Sequence, residues 1–134
     1  MIDHGIVKFI EKHPFHYFRV EKENGKLSDF GGAVIKAEAS YDMISPAKEP
    51  KAIVTFAWSR CSDKDRFNFA RGSKEVGNHI RHHIREHLSS VIVTNGIDRQ
   101  EFFDMLTRKL SDITKLQLVH VLRNQKKLPK KETN

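Results

Sequence analysis

Cysteine is almost absent from this sequence, and this scarcity excludes a protein held together by its own disulfide bonds. Cys61 is the only cysteine among 134 residues. A single thiol excludes an internal disulfide, which is typical of proteins from a reducing compartment. No apolar run reaches the length of a membrane-spanning helix, and the first residues lack the basic start and apolar core of a signal peptide. We therefore expect a cytoplasmic protein that does not contact a membrane.

Signatures of catalysis are also missing. The sequence shows no recognisable carboxylate pair for general acid–base chemistry and no arrangement typical of a nucleophilic triad. It also lacks a complete set of metal ligands at the spacing of a catalytic zinc site. We therefore predict a protein that is not an enzyme, with no catalytic residue, no cofactor and no bound metal.

Acidic residues are outnumbered by basic ones. The chain carries 24 Lys and Arg against 17 Asp and Glu, which gives a net charge of +7, and eight histidines add to it in mild acid. A basic excess favours nucleic acid, nucleotides or an acidic protein surface as partners. Part of the excess lies in residues 126–134, which are polar and contain Pro129, so we predict a basic disordered tail there. Residues 1–125 are predicted to form a single α+β domain.

Alternating polarity in the first half predicts β-strands. Phe15–Lys22 is aromatic and β-branched, and the Asn24-Gly25 pair behind it is a strong hairpin signal because both residues tolerate positive φ. The return strand is predicted over Leu27–Tyr41. Ala52–Trp58 is the most apolar segment and is predicted to be a central strand. Residues 45–50 are predicted to form a loop.

The hydrophobic period changes from two to 3.6 after Cys61, which indicates helices. Gly72 is predicted to end the first of them, and the spacing of Asp98 and Glu101 indicates a helix cap. The last two segments have the length of a helix-turn-helix, but two helices packed on a sheet explain the same pattern, and we favour that interpretation. The fold class is therefore α+β: an antiparallel sheet of three or four strands followed by C-terminal helices packed on one face. The predicted helices are Gly5–His13, Ser62–Arg71, Ser73–Leu88, Asp98–Leu110 and Ser111–Gln125, the last two separate or continuous.

The end of the apolar strand is the first candidate binding site. A strand end followed by a helix N-terminus offers backbone N–H groups and the positive end of a helix dipole, which together favour an anion. Phe67 and Phe69 lie close by in sequence, and one of them could stack on a base. Five cations are concentrated at the same place: Arg60, Lys64, Arg66, Arg71 and Lys74.

The second candidate is the exposed face of the predicted Ser73–Leu88 helix. Lys74, Asn78, Arg81 and Arg85 follow one another at helical spacing and form a donor-rich stripe with no acidic residue in it. Such a stripe could follow a phosphate backbone. A merely solvated helix face explains the same pattern.

Two further groups of reactive side chains have simpler explanations. Four histidines follow at close spacing on the same segment, but metal binding needs convergent ligands from elsewhere, so surface or partner contacts are the favoured interpretation. Cys61 beside a helix N-terminus would have a lowered pKa, but no base is tied to it by sequence, so a small buried turn residue is favoured. The histidines are His79, His82, His83 and His87.

The segment from Trp58 to Phe67, followed by Gly72, resembles a pattern in small bacteriophage-encoded proteins. In that pattern a strand ends in Ser-x-Cys-Ser-x-Lys-Asp-x-Phe and a Gly-Arg pair follows; Ser73 stands here in place of the Arg. Members of the group are mostly uncharacterised, so the resemblance implies a phage or prophage origin and a place in the host cytoplasm, and it implies no activity.

The favoured function is non-enzymatic binding of a phosphate-bearing ligand, nucleic acid first, to control or block a host process. One alternative is an oligomer that sequesters a small cyclic nucleotide signal between its subunits. A second is an inhibitor that binds a host enzyme through its basic surface. We expect a homo-oligomer. The predicted ligand-binding residues are Arg60, Lys64, Arg66, Phe67, Arg71, Lys74, Asn78, Arg81 and Arg85.

Overall fold

A computed structural model describes residues 5–41 and 51–122, which form one five-stranded sheet with helices on both faces. All strand pairs are antiparallel, and the strand order is β4-β3-β2-β1-β5. The strands are β1 (Phe15–Glu21), β2 (Leu27–Tyr41), β3 (Lys51–Arg66), β4 (Leu88–Thr94) and β5 (Leu118–Val121). The helices are α1 (Gly5–Lys12), α2 (Phe69–Arg81) and α3 (Arg99–Thr114), with one 3₁₀ turn at Arg85–His87.

Residues 5–41 fold as predicted. The short helix α1 ends before Pro14, and β1 and β2 form a hairpin around the Asn24-Gly25 turn. The Asn24 side chain accepts a hydrogen bond from the Lys26 N–H at 3.0 Å, and Gly25 has a φ of 79°. The start of α1 is held from far away, because Asn95 accepts hydrogen bonds from Ile6 and Val7 through its carbonyl and its side chain.

The predicted arrangement of helices after a smaller sheet is wrong, although the α+β class is confirmed. The helices alternate with the strands: α1 precedes the sheet, α2 lies in the middle of the chain, and α3 is the only helix near the C-terminal end of the described residues. Helices α1 and α3 pack on one face around Phe18, Ile35 and Phe56, whereas α2 packs on the other face against Val34 and Ala57. Successive residues of a strand point to opposite faces, so neighbours such as Val34 and Ile35 serve different layers.

Up to Leu122, where the described residues end, the C-terminal helix predicted over Ser111–Gln125 is replaced by the end of α3 and by strand β5. Lys115 adopts a left-handed conformation, with φ 62°, and ends α3. Leu118–Val121 then pairs with β1 and adds an edge strand. The helix-turn-helix alternative is therefore excluded. The segment was predicted to be helical from its own sequence, but pairing with a distant strand overrides local propensity.

The two helices predicted on either side of Gly72 are one helix. Strand β3 continues to Arg66, so Ser62 and Asp63 lie in the strand and do not cap a helix. Helix α2 begins at Phe69, is capped by the Asn68 side chain, and passes through Gly72 without a break. It ends at Arg81, so the last part of the predicted Ser73–Leu88 helix lies beyond it.

The predicted cap of α3 is confirmed. The Asp98 side chain accepts a hydrogen bond from the Glu101 N–H at 3.3 Å, and Phe102, Leu106 and Leu110 are fully buried along one side of the helix. The predicted loop at residues 45–50 and the tail at residues 126–134 lie outside the described residues. None of the helices in the described ranges combines the length and the hydropathy that a membrane crossing requires.

Candidate functional site

The junction between β3 and α2 forms a small cavity. The Phe67 N–H donates to the Asp29 carbonyl at 2.9 Å, which turns the chain out of the sheet. The Asn68 side chain then accepts the Arg71 N–H at 3.0 Å and starts the helix. Between these elements lies a cavity of about 90 Å³. A strand end followed by a helix N-terminus is therefore present, but later in the chain than predicted. Strand β3 ends at Arg66 and not at Trp58, and α2 begins at Phe69 and not at Ser62.

Four of the nine predicted binding residues line this cavity. They are Arg60, Arg66, Phe67 and Arg71. Arg66 and Arg71 are exposed, and the Arg66 guanidinium also lies over the Phe30 ring, 5.6 Å from its centre. One nitrogen of the Arg60 guanidinium already has a partner, because its Nε donates a hydrogen bond to the Thr114 carbonyl at 2.8 Å. The cavity is thus lined by three exposed arginines, of which Arg60 is hydrogen-bonded to the end of α3.

The donor stripe predicted on one long helix is interrupted. Lys74 and Arg81 are exposed on α2, and the Asn78 side chain accepts a hydrogen bond from Arg81. Arg85 lies in the 3₁₀ turn beyond the helix end and does not continue the stripe. Lys64 is exposed on β3 but is not among the described residues that line the cavity.

Two acidic residues reduce the positive charge of the cavity lining. Asp65 and Glu75 belong to its lining, and the Arg71 Nε lies 3.3 Å from a Glu75 carboxylate oxygen. Both side chains of this pair are well exposed to solvent, so the interaction contributes little to stability and is easily exchanged for another anion. Among the described lining residues, guanidinium groups still outnumber carboxylates.

The sequence analysis did not identify Arg19, whose guanidinium lies over Phe67, one of the residues that line the cavity. Its guanidinium lies 5.2 Å from the centre of the Phe67 ring and 4.0 Å from an Asp29 carboxylate oxygen. Burial lowers the pKa of this guanidinium, and Asp29 opposes that shift. The only signal in the sequence was its position two residues after Tyr17 on β1, which places both on the face that α2 covers.

Cys61 lies on β3 and not at a helix N-terminus. Its Sγ lies 3.3 Å from the Asp65 carbonyl oxygen, and the residue pairs with Gly32 across the sheet. Burial raises the pKa of the thiol, which is the opposite of the activation that a helix N-terminus would produce. Cys61 lines the cavity as a half-buried strand residue; the interpretation as a turn residue is wrong.

The four histidines near the end of α2 do not share one helix face. His79 Nδ1 donates to the Trp58 carbonyl at 3.0 Å, and its ring stacks on His87 with centres 4.1 Å apart. His82 and His83 lie in the turn after the helix, where His83 has a φ of 48°. Within residues 5–41 and 51–122, no three His, Cys, Asp or Glu side chains are arranged to hold a metal ion.

No protein-family model matches the chain, and no curated protein or solved structure matches it either. Its own side chains are therefore the basis of the functional proposal.

Proposed function

We propose that the chain binds a phosphate-bearing ligand without catalysis, and that nucleic acid is the ligand. The observation that carries the proposal is the cavity at the start of α2, with Arg60, Arg66 and Arg71 in its lining. A helix N-terminus favours negative charge, and guanidinium groups donate paired hydrogen bonds to phosphate oxygens. Arg66 and Arg71 are exposed and can reach a ligand without first losing a buried partner.

The size of the cavity favours a phosphate group of a larger molecule. Typical small-molecule pockets measure roughly 300–1,000 Å³. At about 90 Å³, this cavity has room for a phosphate and not for a whole nucleotide. The exposed cations Lys64, Lys74 and Arg81 lie outside it on β3 and α2, where they could contact neighbouring phosphates of an extended chain. This combination supports nucleic acid over an enclosed small nucleotide.

The biological role we propose is that of a phage accessory protein that controls or blocks a host process. The two alternatives differ in what they require. A trap for a cyclic nucleotide needs a second subunit to enclose the base, because the cavity of one subunit is too small. An inhibitor of a host enzyme needs no nucleotide at all.

The test is a binding series with labelled duplex DNA, single-stranded DNA and single-stranded RNA, followed by fluorescence anisotropy. The proposal expects binding whose affinity falls steeply between about 50 and about 200 mM salt, because each phosphate neutralised on a duplex contributes about −0.9 to the slope of log affinity against log salt. Cyclic dinucleotides are titrated in parallel. Binding to them alone would support the sequestering alternative, and no binding to any probe at low salt would overturn the proposal.

A further inference from the structure

Phe30 is an exposed aromatic residue beside the cavity at the start of α2. It lies on β2 directly opposite Arg66 of β3, and Arg66 lines the cavity. The carbonyl of the preceding residue, Asp29, accepts the hydrogen bond from the Phe67 N–H that turns the chain out of the sheet. Phe30 therefore lies next to the point where β3 ends and the cavity begins.

The Phe30 side chain does not serve the core. The residue is 43% exposed and belongs to neither of the two groups of side chains that pack on the faces of the sheet. The Arg66 guanidinium lies over the ring, 5.6 Å from its centre, and Arg66 is itself exposed. A single guanidinium covers one of the two faces of a ring, so a planar group from solution can still reach Phe30.

The two rings that the sequence suggested for stacking on a base are already engaged. Phe67 has the Arg19 guanidinium 5.2 Å from its centre and packs edge-on against Phe69, with ring centres 4.9 Å apart and an interplanar angle of 82°. Phe69 packs edge-on against Tyr17 as well. Of these three phenylalanines, Phe30 is the most exposed.

Arg66 connects this ring to the phosphate site. The same guanidinium lies over Phe30 and lines the cavity proposed to hold a phosphate. A base is separated from its own phosphate by one sugar, so a single nucleotide could place its phosphate on Arg66 and its base on Phe30. Proteins that bind single strands combine cations that follow the backbone with aromatic rings on which bases stack. In a duplex the neighbouring base pairs cover the base faces, so this contact requires an unpaired base.

We propose that the ligand is single-stranded nucleic acid and that one unpaired base stacks on Phe30. This inference rests on the proposed binding of nucleic acid and specifies the kind of strand. Arg66 and Arg71 would contact the phosphate, and Phe30 would supply the preference for an unpaired base. Stacking neutralises no phosphate, so the contribution of Phe30 should leave the salt dependence of the affinity unchanged.

Two probes of equal charge separate the base from the phosphate. One is an oligothymidine of about 12 nucleotides, within the usual size of a single-strand site, and the other is the same backbone with abasic sugars throughout. Both are labelled and titrated with the full chain, and binding is followed by fluorescence anisotropy. We expect the oligothymidine to bind at least about fivefold more tightly, as for one base stacked on an aromatic side chain.

Two phenylalanine variants assign this preference to one residue. Phe30→Ala should remove the preference and leave the affinity for the abasic strand unchanged, which also shows that Arg66 still functions. Phe15→Ala is the matched control, because Phe15 is 36% exposed and has the Lys36 ammonium 5.5 Å from its ring centre, but does not line the cavity. The control should keep the preference for oligothymidine.

The outcomes distinguish this inference from the proposed function. Equal affinities of the unaltered chain for the two strands would overturn stacking and leave phosphate binding intact. A preference that survives Phe30→Ala would do the same, and so would tighter binding of a duplex of equal length, because charge density alone would then decide the affinity. Binding of none of these probes at low salt would overturn the proposed function together with the inference.

Discussion

Gly72 lies directly against Val34, and this contact fixes how closely α2 approaches the sheet. A Cβ on Gly72 would stand 2.5 Å from Val34 Cγ2, far inside van der Waals contact. The Ser59 hydroxyl donates to the Gly72 carbonyl at 3.1 Å and holds the same turn of the helix. The glycine is therefore needed for close packing of the helix on β2 and β3.

Gly72→Ala should destabilise the protein by about 1–3 kcal/mol, because the added methyl group forces the helix away from Val34. Gly77→Ala is the matched control: the same substitution in the same helix, at a position where a Cβ meets nothing within 4 Å. There alanine should stabilise by about 0.5–1 kcal/mol through its better helix propensity. Urea unfolding measures both, and equal effects of the two variants would contradict the close approach.

Arg66→Ala combined with Arg71→Ala should weaken nucleic-acid binding and reduce the salt slope by about one for each phosphate that the variant no longer neutralises. Both residues are exposed, so we expect the unfolding free energy to change by less than about 0.5 kcal/mol each. Arg60 is left intact because its bond to Thr114 ties β3 to α3. Anisotropy titrations over a range of salt concentrations give both affinity and slope.

A double variant with the same loss of charge serves as the control for this experiment. Lys12 and Arg108 are exposed on α1 and α3, on the other face of the sheet. Lys12→Ala with Arg108→Ala should leave the affinity within a few-fold of the starting value. If the two double variants weaken binding equally, the affinity for nucleic acid is determined by net charge and not by the cavity.

Cys61 should react slowly with iodoacetamide at neutral pH, because burial raises the pKa of its thiol and leaves little thiolate. The comparison is the same chain unfolded in urea, where the thiol should react faster. Cys61→Ser, and separately EDTA, should leave ligand binding within a few-fold. Rapid alkylation of the folded chain, or loss of binding on chelation with recovery on adding zinc, would contradict this prediction.

Stability should decline as the pH falls from about 6.5 toward 4. Burial lowers the pKa values of His16 and His120 to about 4 in the folded chain, against an ordinary 6.5. Below 6.5 the unfolded chain takes up protons that the folded chain does not, so the stabilisation is complete above 6.5 and is lost on acidification. A lowering of this size corresponds to at most about 3 kcal/mol for His16, and less for the more accessible His120.

Urea unfolding at several pH values measures this decline. His120→Phe keeps a ring against Phe103 and removes one titrating group, so its stability should fall less between pH 6.5 and 4. His82→Phe makes the same substitution at an exposed histidine at the end of α2 and serves as the control. Identical pH profiles for the two variants would show that His120 does not carry the effect.

Features set by local backbone chemistry could be predicted from the sequence, and features set by distant contacts could not. The Asn24-Gly25 hairpin and the Asp98 cap depend on residues next to each other in the chain. The role of Gly72 depends on Val34, and strand β5 depends on pairing with β1, so the sequence predictions for both were wrong.

The same distinction applies within the candidate site. Three of the four predicted residues in the cavity, Arg66, Phe67 and Arg71, lie within six positions of one another, so their charge and aromatic character were visible as one cluster. Arg19 lies far from them in sequence, on β1, and contacts Phe67. Only the fold brings these two residues together.

The pairing of Tyr17 with Val121 joins strands from opposite ends of the described chain, while the β1–β2 hairpin closes over a short turn. Closing a long loop has a larger entropic cost than closing a short one, so we expect β5 to dock late in folding and to exchange its amide hydrogens early. Opening of β5 would leave β1 as the edge of the sheet, with backbone N–H and C=O groups that could pair with a strand of another molecule.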